Sequence, residues 1–184
     1  MTYTFIKSVL GETKEKPESL EILALPYGKN DLAPAISKAT IDYHYETLAK
    51  TYAKRYNAGE GDPVFNEAGV FLHNILFQQY TEPKAGNTPT GAILELIEKH
   101  FKTFASFKEE FEKVAMGVQG SGWVYLAKDG SIKTITNHAV KKDIVVLVDW
   151  WEHAWALDYQ ADKKDYLSNQ WKIMNWDKIN ENLQ

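Results

Sequence analysis

Apolar residues recur at helical spacing through the first half of the chain. From Ser37 to Tyr56, apolar positions such as Ile41 and Tyr52 repeat at a period of about 3.6 residues, which predicts an amphipathic helix. The glycines and the proline of residues 57–63 end that pattern, and Val64 to Tyr80 resumes it. Two helices joined by so short a loop predict an αα-hairpin.

The second half begins and ends with further helical patterns. Ala92 to Phe101 and Ser106 to Val118 predict two helices, and Ser106 is the expected N-cap of the second. Glu152 to Tyr159 and Tyr166 to Asn182 return to helical spacing near the end.

Strand patterns lie between these helices. Trp123 to Ala127 and Ile132 to Thr136 flank the turn signal Asp129-Gly130 and predict a β-hairpin. Ile144 to Val148 is wholly apolar and predicts a third, buried strand. The predicted class is α+β: an N-terminal α-helical hairpin followed by an α/β domain with a small three-stranded antiparallel sheet.

Breaks in the patterns divide the chain. Prolines and glycines gather in residues 83–91, which are typical of an exposed linker. The predicted parts are an N-terminal extension (1–21), a helical hairpin domain (22–82), the linker (83–91) and an α/β metal-binding domain (92–184).

Composition restricts the function classes. The 184 residues are 44% hydrophobic with a formal net charge of −4, so we expect one sizeable core and no nucleic-acid partner. No segment approaches the roughly 20 apolar residues of a membrane span, and we expect no membrane partner and a cytoplasmic location. Cysteine is absent, so any metal ligands must be His, Asp, Glu or backbone oxygen.

The candidate chemistry centres on Asp149 and His153. An Asp at a strand end and a His in the following helical turn can converge on one metal ion. His44 and His73 stand in the two upstream helical patterns, so a shell of three His and one Asp can be proposed. A redox metal fits this set better than a structural one, and a metal-dependent hydrolase is a weaker alternative.

Several motifs resemble one known family over about residues 22 to 183. Taken together, they resemble the iron/manganese superoxide dismutases. The motifs are Leu25-Pro26-Tyr27, Tyr43-His44-Tyr45, Phe65-Asn66 with His73, Gly120-Ser121-Gly122-Trp123, Asp149-x-Trp151-Glu152-His153-Ala154, and Asn175-Trp176.

The resemblance implies an enzyme that disproportionates superoxide to dioxygen and hydrogen peroxide. One Fe or Mn ion per subunit is then held by His44, His73, Asp149 and His153. The sequence leaves open which of the two metals is used, because both accept the same ligands.

The resemblance also implies roles for residues around the metal. Tyr52 would relay protons. His138 would hydrogen-bond the metal-bound solvent, at a position where many relatives carry glutamine, and the small Gly69 would leave room for it. Trp123 and Trp151 would form an apolar wall, and Glu152 would bridge to the partner subunit in a homodimer.

Departures from the family pattern define an alternative. Leu48 and Ala156 stand where relatives carry a gateway histidine and tyrosine, and Gln160 replaces an arginine. Lys163 is expected to restore a positive charge for steering superoxide. The alternative is a superoxide-dismutase-like metal-binding protein with weak or no turnover, because the gateway residues are replaced. The short loop between the first two helices favours a dimer over a tetramer.

Overall fold

A pair of packed helices forms the first half of the computed structural model, which describes residues 18–183. Helix α1 is continuous and consists of α-helical Lys38–Ile41, π-helical Asp42–Ala49 and α-helical Lys50–Ala58. Helix α2 is Pro63–Gln78. The hairpin prediction is confirmed, but apolar spacing does not distinguish a π stretch from an α-helix, so the sequence indicated only a helix.

Two helices, α3 (Ala92–Phe101) and α4 (Phe104–Met116), precede the sheet. The expected N-cap at Ser106 is wrong. The side chain of Thr103 caps α4 by accepting a hydrogen bond of 3.0 Å from the Ser106 N–H. The helix therefore begins two residues before the predicted start, because an N-cap oxygen accepts from the N–H three positions later.

The sheet has three antiparallel strands in the order β2-β1-β3. They are β1 (Gly122–Ala127), β2 (Ile132–Thr136) and β3 (Ile144–Asp149). Gly130 has a φ of 80° in the turn between β1 and β2, a left-handed conformation that favours glycine. Strands β1 and β3 are buried along their whole length and place Asp149 opposite Trp123 inside the protein. The predicted sheet is confirmed.

The chain after the sheet is more broken than predicted. Glu152–Ala154 is a single 3₁₀ turn followed by α5 (Ala156–Tyr159), and the predicted last helix is two helices, α6 (Lys163–Ile173) and α7 (Trp176–Asn182). Met174 separates α6 from α7 because it is extended and pairs in a β-bridge with Tyr80. This long-range contact overrides the local helical pattern.

The start of the described chain lies against the helical hairpin. Leu20 N–H donates to the Asn57 side chain, and Asn74 exchanges hydrogen bonds with Glu21 and Leu23. Residues 1–17 of the predicted extension lie outside the described residues. The predicted boundaries between domains stay a prediction. Among residues 18–183, no helix has both the length and the apolar character needed to cross a membrane.

Candidate metal centre

Four side chains from separate parts of the fold meet at one point. His44 comes from the π stretch of α1, His73 from α2, Asp149 from the end of β3, and His153 from the 3₁₀ turn. One possible ligand atom from each lies within 4.8 Å of the others. The structure thus brings together the four predicted ligands.

The carboxylate of Asp149 lies among the three imidazoles. Its Oδ2 atom is 3.1 Å from His44 Nε2, 3.4 Å from His153 Nε2 and 3.9 Å from His73 Nε2. Ligand atoms that each lie about 2 Å from a shared ion stand about 3 to 4 Å apart, so these separations suit one small cation.

Hydrogen bonds orient two of the ligands. His73 Nδ1–H donates to the Gly69 carbonyl at 2.7 Å, which leaves Nε2 unprotonated in the neutral ring. The backbone N–H of Trp151 donates to Asp149 Oδ1 at 2.8 Å, and Oδ2 is left for the centre. The Tyr166 hydroxyl donates to the Asp149 carbonyl at 2.9 Å. His73 and Asp149 therefore each use one side-chain atom in a positioning hydrogen bond and present another atom to the centre.

All four presented atoms are buried, and although they lie close to one another, none of their contacts has the geometry of a hydrogen bond. They are His44 Nε2, His73 Nε2, His153 Nε2 and Asp149 Oδ2. Buried polar atoms are nearly always paired, so a group of four orphans indicates a missing cation. Three imidazole nitrogens, one carboxylate oxygen and no thiolate suit iron or manganese. The residues present fit the metal that the resemblance implies.

Electrostatics keeps the ligands in the form that binds a cation. Burial lowers the pKa of His44, and it lowers the pKa of His73 well below its usual value, so both rings are neutral at pH 7. Burial acts to raise the pKa of Asp149, but the neighbouring His153 and His44 lower it to below its usual range. The site therefore offers the neutral imidazoles of His44 and His73 together with an ionised carboxylate.

Aromatic rings enclose one side of the centre. His138 stacks on Trp151 with ring centroids 4.8 Å apart and also lies 4.6 Å from Phe65. The Trp123 ring lies 5.1 Å from that of His73. The side chains predicted to form the wall thus lie beside the ligands.

His138 presents a hydrogen-bond donor. The indole N–H of Trp123 donates to His138 Nδ1 at 3.1 Å, so the proton of the neutral ring lies on Nε2. That Nε2 is buried without a partner. Burial lowers the pKa of His138 to about 4, which keeps the ring neutral at pH 7. The structure places the His138 ring 5.9 Å from that of His73 by centroid, and its hydrogen bond to metal-bound solvent stays a prediction.

Tyr52 lies at the edge of the same cluster. Its ring centroid is 5.4 Å from that of His73 and 5.0 Å from that of His138. Burial raises its pKa to about 12, so it holds its proton at neutral pH. A Cβ added at Gly69 would lie 2.8 Å from Cγ of Tyr52, so the missing side chain leaves room for that ring. The role of Gly69 toward His138 stays a prediction.

Two further predicted site residues contact other side chains or solvent. The ammonium of Lys163 is 4.9 Å from the ring centre of Trp155 and 5.7 Å from that of Trp150, in cation–π contact. The side chain of Glu152 is exposed. Leu48 and Ala156, the gateway substitutions, are both partly buried.

Sequence reasoning missed three residues that contact the ligands or support them. Phe77 lies 5.1 Å from His44 by ring centroid and is four residues after His73, so helical spacing on α2 could have found it. Phe65 was part of a motif but had no role assigned. Tyr166 had no local signal, because only the fold brings it to Asp149.

Comparisons with known proteins agree with this geometry. Residues 89–182 match the family description "Iron/manganese superoxide dismutases, C-terminal domain". Residues 19–62 match "Iron/manganese superoxide dismutases, alpha-hairpin domain".

Similar proteins come from several bacteria. The chain is 35% identical to an iron superoxide dismutase of Bacteroides fragilis strain YCH46, over 89% of this chain and 98% of that protein. It is 38% identical to a manganese/iron superoxide dismutase of Porphyromonas gingivalis, over 85% and 95% of the two chains. An iron superoxide dismutase of Escherichia coli K12 is 34% identical over 90% and 98%. This chain therefore belongs to the iron/manganese superoxide dismutase family.

Proposed function

We propose that this chain is a superoxide dismutase with one Fe or Mn ion per subunit, held by His44, His73, Asp149 and His153. The observation that carries the proposal is the convergence of four buried ligand atoms, none of which has a hydrogen-bond partner. An iron or manganese ion held by these four residues would supply the one-electron redox chemistry that disproportionation of superoxide requires.

The protein's own residues set the charge of the centre. Imidazoles that bind a metal do so in the neutral form, so the three histidines and the ionised carboxylate would together carry a single negative charge, and a centre occupied by a divalent or trivalent cation would stay positive. Superoxide is an anion and is attracted to it. Burial keeps His44 and His73 unprotonated, which leaves their nitrogens free for the metal.

His138 and Tyr52 are proposed to manage protons. Hydrogen peroxide formation consumes two protons, and both side chains are protonated donors beside the ligands at neutral pH. His138 offers Nε2–H inside the cluster, and Trp123 keeps it in that tautomer. Tyr52 is partly buried and its ring lies 5.0 Å from that of His138 by centroid, so we assign it the relay of protons from solvent.

The aromatic side of the site limits access. Trp123 is buried and Trp151 is partly buried, and together with Phe65 they keep bulk water from the ligands. The hydrolase alternative is less favoured, because it needs a separate base beside the metal. His138 cannot serve as that base while its Nδ1 accepts the Trp123 hydrogen bond.

The second candidate is a dismutase-like protein with weak or no turnover. Leu48 and Ala156 carry no group that can donate or accept a proton, and both are partly buried. If proton delivery needs those two positions, metal binds but turnover is slow.

A homodimer is part of the proposal. Glu152 directly follows Trp151 of the aromatic wall in the sequence. It adjoins His153 in the 3₁₀ turn and is exposed. We propose that it contacts a second copy of the chain beside its metal centre. Glu152→Ala is then expected to yield monomer in sedimentation, and a stable dimer after that change would remove the bridge.

The test is to load purified protein with Fe or with Mn, measure metal by elemental analysis, and follow superoxide decay. We expect about one metal ion per subunit and rapid decay that is lost in His73→Ala and in metal-free protein. His100→Ala is a matched control, because His100 is exposed on α3. Stoichiometric metal with negligible decay would favour the dismutase-like candidate, and absence of metal would contradict both.

A further inference from the structure

Strand β3, which ends in Asp149, lies at an edge of the sheet. The order β2-β1-β3 gives it a partner on one side only. In an antiparallel pair, alternate residues turn both backbone groups away from the partner strand. Leu147 and Asp149 share that parity, Val145 lies at a bulge where the pairing with β1 shifts, and all three are fully buried. Their outward-facing backbone groups need partners that water does not supply.

Side chains from three helices take the place of a fourth strand. At Leu147, the Gln79 Nε2 amide donates to the carbonyl, and the Leu147 N–H donates to Gln79 Oε1 at 3.1 Å. Further along, the Tyr166 hydroxyl donates to the Asp149 carbonyl at 2.9 Å. Asn182 Nδ2 reaches the Val145 carbonyl at 3.5 Å, the longest of these contacts. The outer edge of β3 is therefore closed by an amide, a hydroxyl and a second amide.

Gln79 makes the strongest of these links because both of its polar atoms are used. It is fully buried and is the C-cap residue of α2, the helix that carries His73. Its two bonds reproduce the pair of bonds that a neighbouring strand would make with Leu147. Its backbone carbonyl also accepts from the Asn175 N–H at 2.8 Å, which fixes the residue from a second direction.

This link joins two of the proposed ligands through short, rigid pieces of chain. Gln79 is six residues beyond His73, and Leu147 is two residues before Asp149. A helix rises about 1.5 Å per residue and a strand about 3.4 Å, so the amide lies within about 10 Å of each ligand along the chain. A shift of β3 along α2 would change the distance between His73 and Asp149.

We propose that Gln79 is a positioning residue for the metal centre, with Tyr166 as a second, and that the pair sets where Asp149 stands relative to His73. The proposal rests on the metal site proposed above. Without the Gln79 amide, two buried backbone groups of Leu147 lose their partners. The strand edge is then free to move or to admit water, and the ligand at its end moves with it.

The test compares Gln79→Met with Tyr80→Phe, both in manganese-loaded protein. Met has a similar length to Gln but cannot bind Leu147. Tyr80 is the next residue, is equally buried, and donates to Gln170 rather than to β3, so Tyr80→Phe also removes a buried hydrogen bond. The readout is the rate of manganese loss to excess EDTA, measured at the same interval below each variant's melting temperature.

We expect manganese loss about tenfold faster in Gln79→Met than in wild type, the low end of effects seen for groups that orient metal ligands. Tyr80→Phe should lower the melting temperature and leave the release rate at the wild-type value. Equal release rates in Gln79→Met and Tyr80→Phe would overturn the proposal, because the side chain would then contribute only to stability.

Tyr166→Phe gives an independent reading if Gln79→Met does not fold. It removes one oxygen atom, the donor to the Asp149 carbonyl, and is matched to Tyr80→Phe in chemistry and burial. Faster manganese loss in Tyr166→Phe than in Tyr80→Phe supports the proposal, and equal loss contradicts it. A wild-type protein that takes up no manganese or iron would overturn the metal site itself, whereas firm retention in every variant would overturn only the positioning role.

Discussion

Two clusters of titratable side chains in this protein differ in burial and in whether their polar atoms have partners. In the metal centre, Asp149 meets three histidines in a buried space where the facing atoms have no hydrogen-bond partners. On the β1–β2 hairpin, Lys133 Nζ lies 2.9 Å from a carboxylate oxygen of Asp129 and 2.9 Å from one of Asp143, at the surface. The first cluster is incomplete without an ion, and the second is complete.

The pKa shifts in the two clusters have different causes, which are hydrogen bonds at the surface and burial in the metal centre. Hydrogen bonds to Asp143 and Asp129 raise the pKa of Lys133, and hydrogen bonds from Ser131 and Lys133 lower that of Asp129. In the centre, burial is the largest influence on His44 and His73. The count of charges therefore does not identify a metal site. Burial combined with unpaired ligand atoms does.

The largest difference between the two clusters is expected when the central carboxylate, Asp149, is replaced. Asp149→Asn keeps the size of the side chain but removes its charge, so metal content and superoxide decay should both fall by at least about 100-fold. The matched change in the surface cluster is Asp143→Asn, just before β3, for which both quantities should equal the wild-type values. Elemental analysis and superoxide decay measure the two effects. Full metal content in Asp149→Asn would contradict the assignment of the carboxylate.

Removal of the metal should lower the melting temperature through the metal centre and independently of the Lys133 cluster. A ligand present at about 1,000 times its Kd stabilises a protein by about 4 kcal/mol. For a chain of this size, that corresponds to a melting temperature about 8 to 16 °C higher in the loaded protein. Calorimetry of loaded and metal-free protein measures the shift. The same shift is expected in Lys133→Ala, and a loaded protein that melts with the metal-free one would contradict a buried ion.

His138 tests whether the donor beside the ligands matters as well as the ligands. His138→Gln retains an N–H donor, whereas His138→Ala removes it and leaves the Trp123 indole without its acceptor. We expect superoxide decay to fall by about 10- to 100-fold in the Ala variant and by less in the Gln variant, with metal content kept in both. Equal decay in the Ala variant and wild type would leave His138 as a packing residue.

How far the sequence predicts this protein depends on how local the signal is. His44, His73, Asp149 and His153 carry their signal in short motifs, and the structure brings all four together. The Gln79 contact with Leu147 carries none, because the two residues are 68 positions apart and their types are ordinary. Long-range contacts of this kind appear only in the folded chain.

Local errors have local causes. Thr103 and Ser106 both have a hydroxyl suited to a helix N-cap, and the pattern alone does not choose between them. The break at Met174 depends on its pairing with Tyr80, which follows α2 far earlier in the chain. The contact between Gly69 and the Tyr52 ring was not predicted, since sequence spacing cannot tell which ring packs against a glycine.

Tyr52 is expected to affect turnover and not metal binding. Tyr52→Phe should leave metal content unchanged and reduce the decay rate several-fold at high superoxide concentration, when proton supply limits the reaction. Tyr56→Phe is the control, because Tyr56 is one helical turn further along α1 and is also partly buried. Stopped-flow measurement over a range of superoxide concentrations tests this, and unchanged kinetics in Tyr52→Phe would remove the relay.

The smallest effect is expected on the hairpin. Lys133→Ala removes the cation between Asp129 and Asp143, but all three side chains are solvated and the hairpin keeps its hydrogen bonds from Ser131 to Asp129. Exposed ion pairs contribute little, so metal content and activity should equal the wild-type values and the melting temperature should fall by about 2 °C or less. Loss of metal in Lys133→Ala would mean that the two clusters are coupled through β1, since that strand pairs with β2 on one side and with β3, which carries Asp149, on the other.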